Sequence, residues 1–265
     1  MRRNVLLRLF LAAAVLCILL PAAVLVLWSA AARWSWPSLL PERWSARTVR
    51  ELLFGSQDLW RLLGSSMSLG SGAAGLSTLI GLLTARAVSL YDFPGKGLVR
   101  FAGLLPLLIP GTVFATGIHL VLLRLGLADT AAGVLLVHVM TALPYSISIL
   151  TDVTAALGGA LEEQAAVLGA GPVRAFFAVS LPELMPGVLS SLSMAFILSY
   201  SQYFTTLIVG GGRVKTLALV MVPYIQGGDR SLASVYALAF TGSALLVSAL
   251  FEALIRHWQK RGDRL

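Results

Sequence analysis

Residues 161–187 read "LEEQAAVLGAGPVRAFFAVSLPELMPG", a short charged stretch lodged between two long apolar runs. It holds three of the chain's twelve acidic residues, a Phe-Phe pair and three prolines. From Leu161, apolar side chains recur at Ala165 and Leu168, the i, i+4, i+7 spacing of one helical face. Glu162 and Glu163 fall near the start of that helix, where the partial positive charge of the N-terminus favours carboxylates. Gly169-Ala170-Gly171-Pro172 then breaks it, Gly169 supplying a left-handed stop and Pro172 suiting the first turn of a second helix. The second helix carries Val173, Phe176, Phe177 and Ser180. Leu181-Pro182 is expected to end it, and Pro186 to open the next apolar run. An apolar surface rimmed by polar groups fits a receiving groove on a partner. It also fits an interfacial helix pair lying on lipid headgroups, and periodicity alone supports both.

The surroundings of this stretch identify its solvent. The 265 residues are 57% hydrophobic and 12% charged, with a mean hydropathy of +0.85. Soluble domains carry about 25% charged residues, so this chain has about half the usual polar skin. Several runs exceed the roughly 18 residues that a helix needs to cross hydrocarbon. The composition predicts an all-α polytopic membrane protein. Its net charge of +8 and pI near 10.2 then belong to segment ends that set orientation and meet anionic lipid, not to a nucleic-acid surface. Cys17 is the one cysteine, which excludes an intrachain disulfide and a cysteine-based metal site.

Six spans are expected at about 9–30, 62–85, 98–123, 131–151, 187–209 and 232–256. The first is too long for a signal-peptide core of about 7–15 residues and reads as a retained span. An even number puts both termini on one side. Arg2, Arg3 and Arg8 at one end, with Arg256, Lys260, Arg261 and Arg264 at the other, argue for the cytoplasm. Residues 90–100 then form a short cytoplasmic turn, the stretch at about 157–186 is cytoplasmic, and 210–231 lies outside. Arg33, Arg43, Arg47, Arg50 and Arg61 fall outside too, in tension with the positive-inside rule. Interspersed Glu42, Glu51 and Asp58 and the dominant influence of the first span soften that tension. Trp28, Trp34, Trp36, Trp44 and Trp60 lie in or beside the same loop, where their amphipathic rings suit a membrane-interface belt.

The motif E-A-A, three residues, G, nine residues, I, one residue, L-P is carried by Glu163-Gln164-Ala165, Gly169, Val179 and Leu181-Pro182. Gln164 and Val179 depart in residue type, and every spacing matches. The chain thereby resembles the permease subunits of binding-protein-dependent ABC importers of type I. The similarity runs from about span 2 to span 6 through "LPLLIPG", "ALPYSISIL" and "MAFILSYSQYFTTLI". The resemblance implies one six-span permease domain over residues 1–265, with a cytoplasmic coupling helix between spans 4 and 5. It places Glu162, Glu163, Ala165, Gly169, Ala170, Phe176, Phe177, Leu181 and Pro182 in the coupling loop, seated in a cleft of a cytoplasmic ATP-binding subunit dimer. It also implies a second permease, identical or homologous, an extracytoplasmic solute-binding protein, and a bacterial cytoplasmic (inner) membrane as the site. No cofactor is expected in this chain, because ATP and Mg would sit on the partner ATPase. The overall flavour resembles the branch serving polyamines, thiamine, ferric iron, phosphonate and oxyanions, with polyamine leading.

No G-x-x-x-x-G-K-[ST] phosphate loop occurs, since Gly95-Lys96-Gly97 lacks the upstream glycine and the following hydroxyl. No HExxH or clustered metal-ligand set occurs either. The rival class is an ion-coupled secondary transporter, which places ionisable groups deep in the membrane. Here Arg86, Arg124, Asp152 and Glu252 lie towards span ends, and only His119 and His138 fall deeper. A membrane enzyme lacks any catalytic set. For the solute pathway, Tyr200, Gln202 and Tyr203 of span 5 carry polar tips that need partners. Helical spacing puts Tyr200 and Tyr203 near one face with Ser193, joined by Thr116 and His119 of span 3 and Tyr145 of span 4. The many Ser and Thr residues of span 5 otherwise serve to cement helices. The outer segment 210–231 is expected to form a short surface helix or re-entrant turn.

Overall fold

The computed structural model describes residues 2–35, 37–55 and 57–262, so Trp36 and Arg264 lie outside the described residues. The side chains of Arg2, Arg3 and Arg261 fall outside them too. Among the described residues five helical runs are long and apolar enough to cross a bilayer: Leu7–Ser29, Asp58–Leu90, Ala131–Leu157, Pro172–Tyr200 and Arg230–Lys260. A sixth apolar stretch is a bent pair, α4 (Lys96–Leu108) and α5 (Gly111–Arg124), set at 109° to each other, the geometry of a broken span or of a re-entrant loop. The expected continuous span at 98–123 is therefore broken. The cause is local: Ile109, which precedes Pro110, is forced out of the helical region to φ −91°, ψ 129°.

The chain divides into two compact units. One comprises Met1–Gly64 with Val220–Ser243. In it, helix α1 (Arg2–Ser29) exposes apolar side chains such as Phe10, Leu16 and Ile18 all around its surface, the pattern of a helix solvated by hydrocarbon. A small antiparallel hairpin, β1 (Ala31–Arg33) and β2 (Arg43–Trp44), follows. Trp28 and Trp34 stack at 4.5 Å, and the Arg230 guanidinium lies 5.0 Å over the Trp28 ring. The Trp34 indole N–H donates to the Ser38 carbonyl, and that of Trp60 to the Leu53 carbonyl. Short α2 (Arg47–Arg50) runs into a π-helical turn, Glu51–Gly55, before α3 (Asp58–Leu90) begins.

The other unit comprises Ser65–Leu219 with Ala244–Leu265. In it α6 (Ala131–Leu157) packs extensively along α9 (Leu181–Tyr200). Small residues permit that closeness. A methyl group on Gly187 would meet Val153 at 2.9 Å, and one on Gly81 of α3 would meet the Ser146 side chain at 2.8 Å. Two buried clusters occupy the two ends of α3. Leu69 packs with Leu122, Val134, Val137 and Val209, and Leu82 and Ala85 pack with Leu150 and Leu184. Between them the hydroxyls of Thr78 and Ser191 meet at 3.0 Å.

Span 5 also differs from expectation. Leu181-Pro182 does not end the second loop helix. α8 (Pro172–Ala175), a π-helical turn (Phe176–Ser180) and α9 form one helical run, Pro172–Tyr200. The wide turn just ahead of Pro182 accommodates a residue that has no N–H to give. The run stops at Tyr200, and α10 (Phe204–Gly210) resumes after a short break. Within segment 210–231 lies α11 (Leu217–Gly227), whose first residues are buried and whose Leu217 N–H donates to Ser66 Oγ at 2.7 Å. The last helix, α12, covers Arg230–Gly262.

Candidate functional site

The loop between α6 and α9 starts at Gly158, whose φ of +66° ends α6. α7 (Ala160–Val167) follows directly. Its far end closes as a Schellman motif: the Ala170 N–H donates to the Ala165 carbonyl, and the Gly169 N–H to the Ala166 carbonyl, both at 2.9 Å. Gly169 adopts φ +88°, the left-handed conformation expected of it. Nothing lies within 4 Å of a Cβ placed there, so the backbone angle rather than space asks for glycine.

The two expected helix faces are only partly as read. Leu161 and Ala165 are half-buried, but Leu168 points out, 88% exposed, beside Val167 at 87%. The two phenylalanines separate. Phe177 stands 61% exposed. Phe176 turns inward against the cluster of Leu82, Ala85, Leu150 and Leu184, with Leu181 beside it. Both rings remain in edge contact at 5.0 Å. Pro182 lies in the helical run, and Ala170 is half-buried.

The acidic pair separates too. Glu163 is exposed, whereas Glu162 faces Arg86 near the C-terminal end of α3. The guanidinium makes a two-pronged contact: Nη1 donates to Oε1 at 2.8 Å and Nη2 to Oε2 at 3.0 Å. Ser180 Oγ donates to the same carboxylate, and Arg86 lies 4.5 Å over the Phe176 ring. Hydrogen bonding from Arg86 is the main cause that holds the Glu162 carboxyl below its ordinary value, against the opposing effect of desolvation. Sequence reasoning missed Arg86 and gave Ser180 no partner. The two ends of the ion pair are 76 residues apart, so no local pattern signals them.

The residues expected along a solute pathway do not share a single helical face. Tyr200 closes α9, buried and stacked on Phe196 at 5.4 Å, while Tyr203 lies beyond the break at the start of α10. Their spacing is therefore not helical. The break is pinned by side chains instead. Gln202 donates to Thr141 Oγ1 at 3.3 Å and accepts from Thr205 Oγ1 at 2.9 Å. His138 of α6 bridges both sides, its ring nitrogens 2.8 Å from Ser199 Oγ and 3.0 Å from Thr206 Oγ1. Ser193 and Tyr145 are half-buried; Thr116 is exposed and turns its hydroxyl back onto the Thr112 and Val113 carbonyls. His119 keeps a buried Nδ1 without a partner.

The loop between α6 and α9 is thus a helix-turn-helix tip set between two apolar helices of a membrane-spanning chain. Residues 65–263 match the family described as binding-protein-dependent transport system inner membrane component, and the chain belongs to that family, the ABC importer permeases. A crystal structure of a bacterial ABC transporter involved in the import of the acidic polysaccharide alginate shares the fold. Its TM-score is 0.77 at 15% identity, covering 94% of this chain and 95% of that one. The putrescine transport system permease protein PotI of Escherichia coli K12 is 26% identical over 230 residues, 83% of this chain and 81% of its own. The ABC transporter permease ORF1 of Streptomyces antibioticus is 33% identical over 148 residues, 56% of this chain and 64% of its own, just under two thirds of that relative's length. The molybdate/tungstate permease WtpB of Pyrococcus abyssi is 29% identical over 169 residues, 64% of this chain and 68% of its own. Family members are transport subunits, not enzymes, and work with a separate ATP-binding subunit and a binding protein.

Proposed function

We propose that this permease sits in a bacterial cytoplasmic membrane with both termini inside, and that the α6–α9 loop is its seat for a cytoplasmic ATPase. The observation that carries the reading is the tip of that loop: Val167 and Leu168 at the end of α7, Val173 of α8 and Phe177 of the π-helical turn each have at least 61% of their surface exposed. Each is worth roughly 1.5–3 kcal/mol when fully covered. A groove on the ATP-binding subunit supplies that cover, and exposed Glu163 offers a charge beside it. ATP and Mg stay on the partner, a second permease completes the pathway, and a solute-binding protein delivers from outside.

For the solute we propose a polyamine-type cation. Its support is the alignment with PotI, which covers more of this chain than that with the molybdate/tungstate permease. An oxyanion is the second reading. It is favoured by the polar groups around the span-5 break, which among the described residues are hydroxyl, amide and imidazole groups without a carboxylate. Competition of the two solute classes for the cognate binding protein separates the readings.

The test of the seat is co-purification with the cognate ATP-binding subunit. Phe177→Glu is expected to weaken binding about tenfold or more, the equivalent of losing one covered side chain. Undiminished binding by a normally inserted Phe177→Glu permease contradicts the proposal.

A further inference from the structure

The geometry points to Arg86 as the positioning residue that ties the ATPase-facing loop to α3, a second route for its motion besides the chain itself; this rests on the coupling role proposed above. The loop has two covalent joints of unequal stiffness. Towards α6 it hangs on Gly158-Gly159, with Gly158 at positive φ, a soft connection. Towards α9 it is one uninterrupted helical run. Neither joint involves α3.

Arg86 supplies that third connection. Its side chain is 16% exposed and that of Glu162 22%, so the pair is partly shielded from solvent. Two parallel hydrogen bonds fix direction as well as distance, which a single point charge would not do. The ring of Phe176 backs the guanidinium, and the hydroxyl of Ser180 occupies a further lone pair of the carboxylate. Glu162 of α7 and Phe176 of the π-helical turn thus meet on a single α3 side chain, and Ser180 of the same turn braces Glu162. Both Glu162 oxygens are engaged within the chain, which leaves Glu163 as the acidic group free to face a partner. Arg86 therefore does two things: it withdraws Glu162 from the docking surface, and it makes α3 follow the loop.

The test uses the permease assembled with its ATP-binding subunit in nanodiscs. Cys17→Ala removes the one native cysteine. A single cysteine then carries an environment-sensitive fluorophore, at Gln164 on the loop or at Leu83, an exposed site on α3. Trapping with ATP, Mg and vanadate is expected to shift both signals. Arg86→Gln should keep the Gln164 shift and lose the Leu83 shift, and the exchanged pair Arg86→Glu with Glu162→Arg should regain it. Should Arg86→Gln accumulate poorly, Glu162→Gln reads the same link from the other side. A role confined to stability would lower yield and leave the ratio of the two shifts unchanged, which overturns the inference. So does a loss of both shifts with the ATPase still bound, because Arg86 would then only seat the loop. No shift at Gln164 in the parent complex instead defeats the coupling role itself.

Discussion

Replacing Gly169 tests the loop through its backbone alone. At φ +88°, with nothing within 4 Å of an added Cβ, substitution brings no collision, only conformational cost. Alanine in the left-handed region costs roughly 1–2 kcal/mol, and a β-branched valine lies at the upper end of a range of about 1–3 kcal/mol. Asparagine tolerates this region best among residues with a side chain. At about 1.4 kcal/mol per tenfold, alanine biases the turn against its native form about 5–30-fold, and valine about 100-fold. A failed turn releases the two hydrogen bonds that close α7, and with them the orientation of Val173 and Phe177 on the helix that follows. Titrating the cognate ATP-binding subunit against purified permease should rank affinity as Gly169, Asn, Ala, Val. Thermal stability of the bundle should stay constant, because the residue is exposed and off the packed helices. Equal affinity for Asn and Val variants, or a valine variant as tight as the parent, would refute the argument.

Two further outcomes concern the same loop and a third the break after α9. Phe176→Ala should lower the thermal stability of the permease by about 2 kcal/mol, as a half-buried ring leaves its cluster, while Phe177→Ala changes it by less than about 0.5 kcal/mol; a differential scan on both variants decides. Because hydrogen bonding from Arg86 depresses the Glu162 acid below 4.5, its contribution is complete above about pH 4.5 and disappears as pH falls through the lower folded value. Melting curves should therefore show an acid-side loss in the parent that Glu162→Gln lacks. Cysteine at Tyr203, in the Cys17→Ala background, should react with a water-soluble thiol reagent at different rates in nucleotide-free and ATP-trapped complexes; state-independent labelling there removes Tyr203 from the pathway.

Much of the bundle could be read from the chain because hydrocarbon solvation needs only length and composition, both visible in the runs that became α1, α3, α6 and α12. Gly169 and Pro172 were equally legible, since each acts through its own backbone. The departures arose where neighbours decide. Pro110 was present in the sequence, but a proline can kink, break or open a helix, and the extended Ile109 that turns the third span through 109° is a property of the pair. Pro182 read as a terminator, yet a π-helical turn upstream absorbed it. The break after Tyr200 has no proline or glycine to announce it, being held by Gln202 and by His138 from another helix. Phe176 and Phe177 are identical in type and adjacent, so only the fold could send one in and the other out.

The unbroken run from Pro172 to Tyr200 makes the loop and the fifth span a single lever. Ser180, buried and bonded to Glu162, marks its fulcrum. At 1.5 Å per residue, the arm from 172 to 180 is about 13 Å long and the arm from 181 to 200 about 30 Å. A sideways push of 1 Å on the short arm thus swings the Tyr200 end by about 2 Å the opposite way. The far end is where the helix breaks and His138 holds both sides, so a run moving as one body would carry a stroke at the tip, enlarged, to that hydrogen-bonded break.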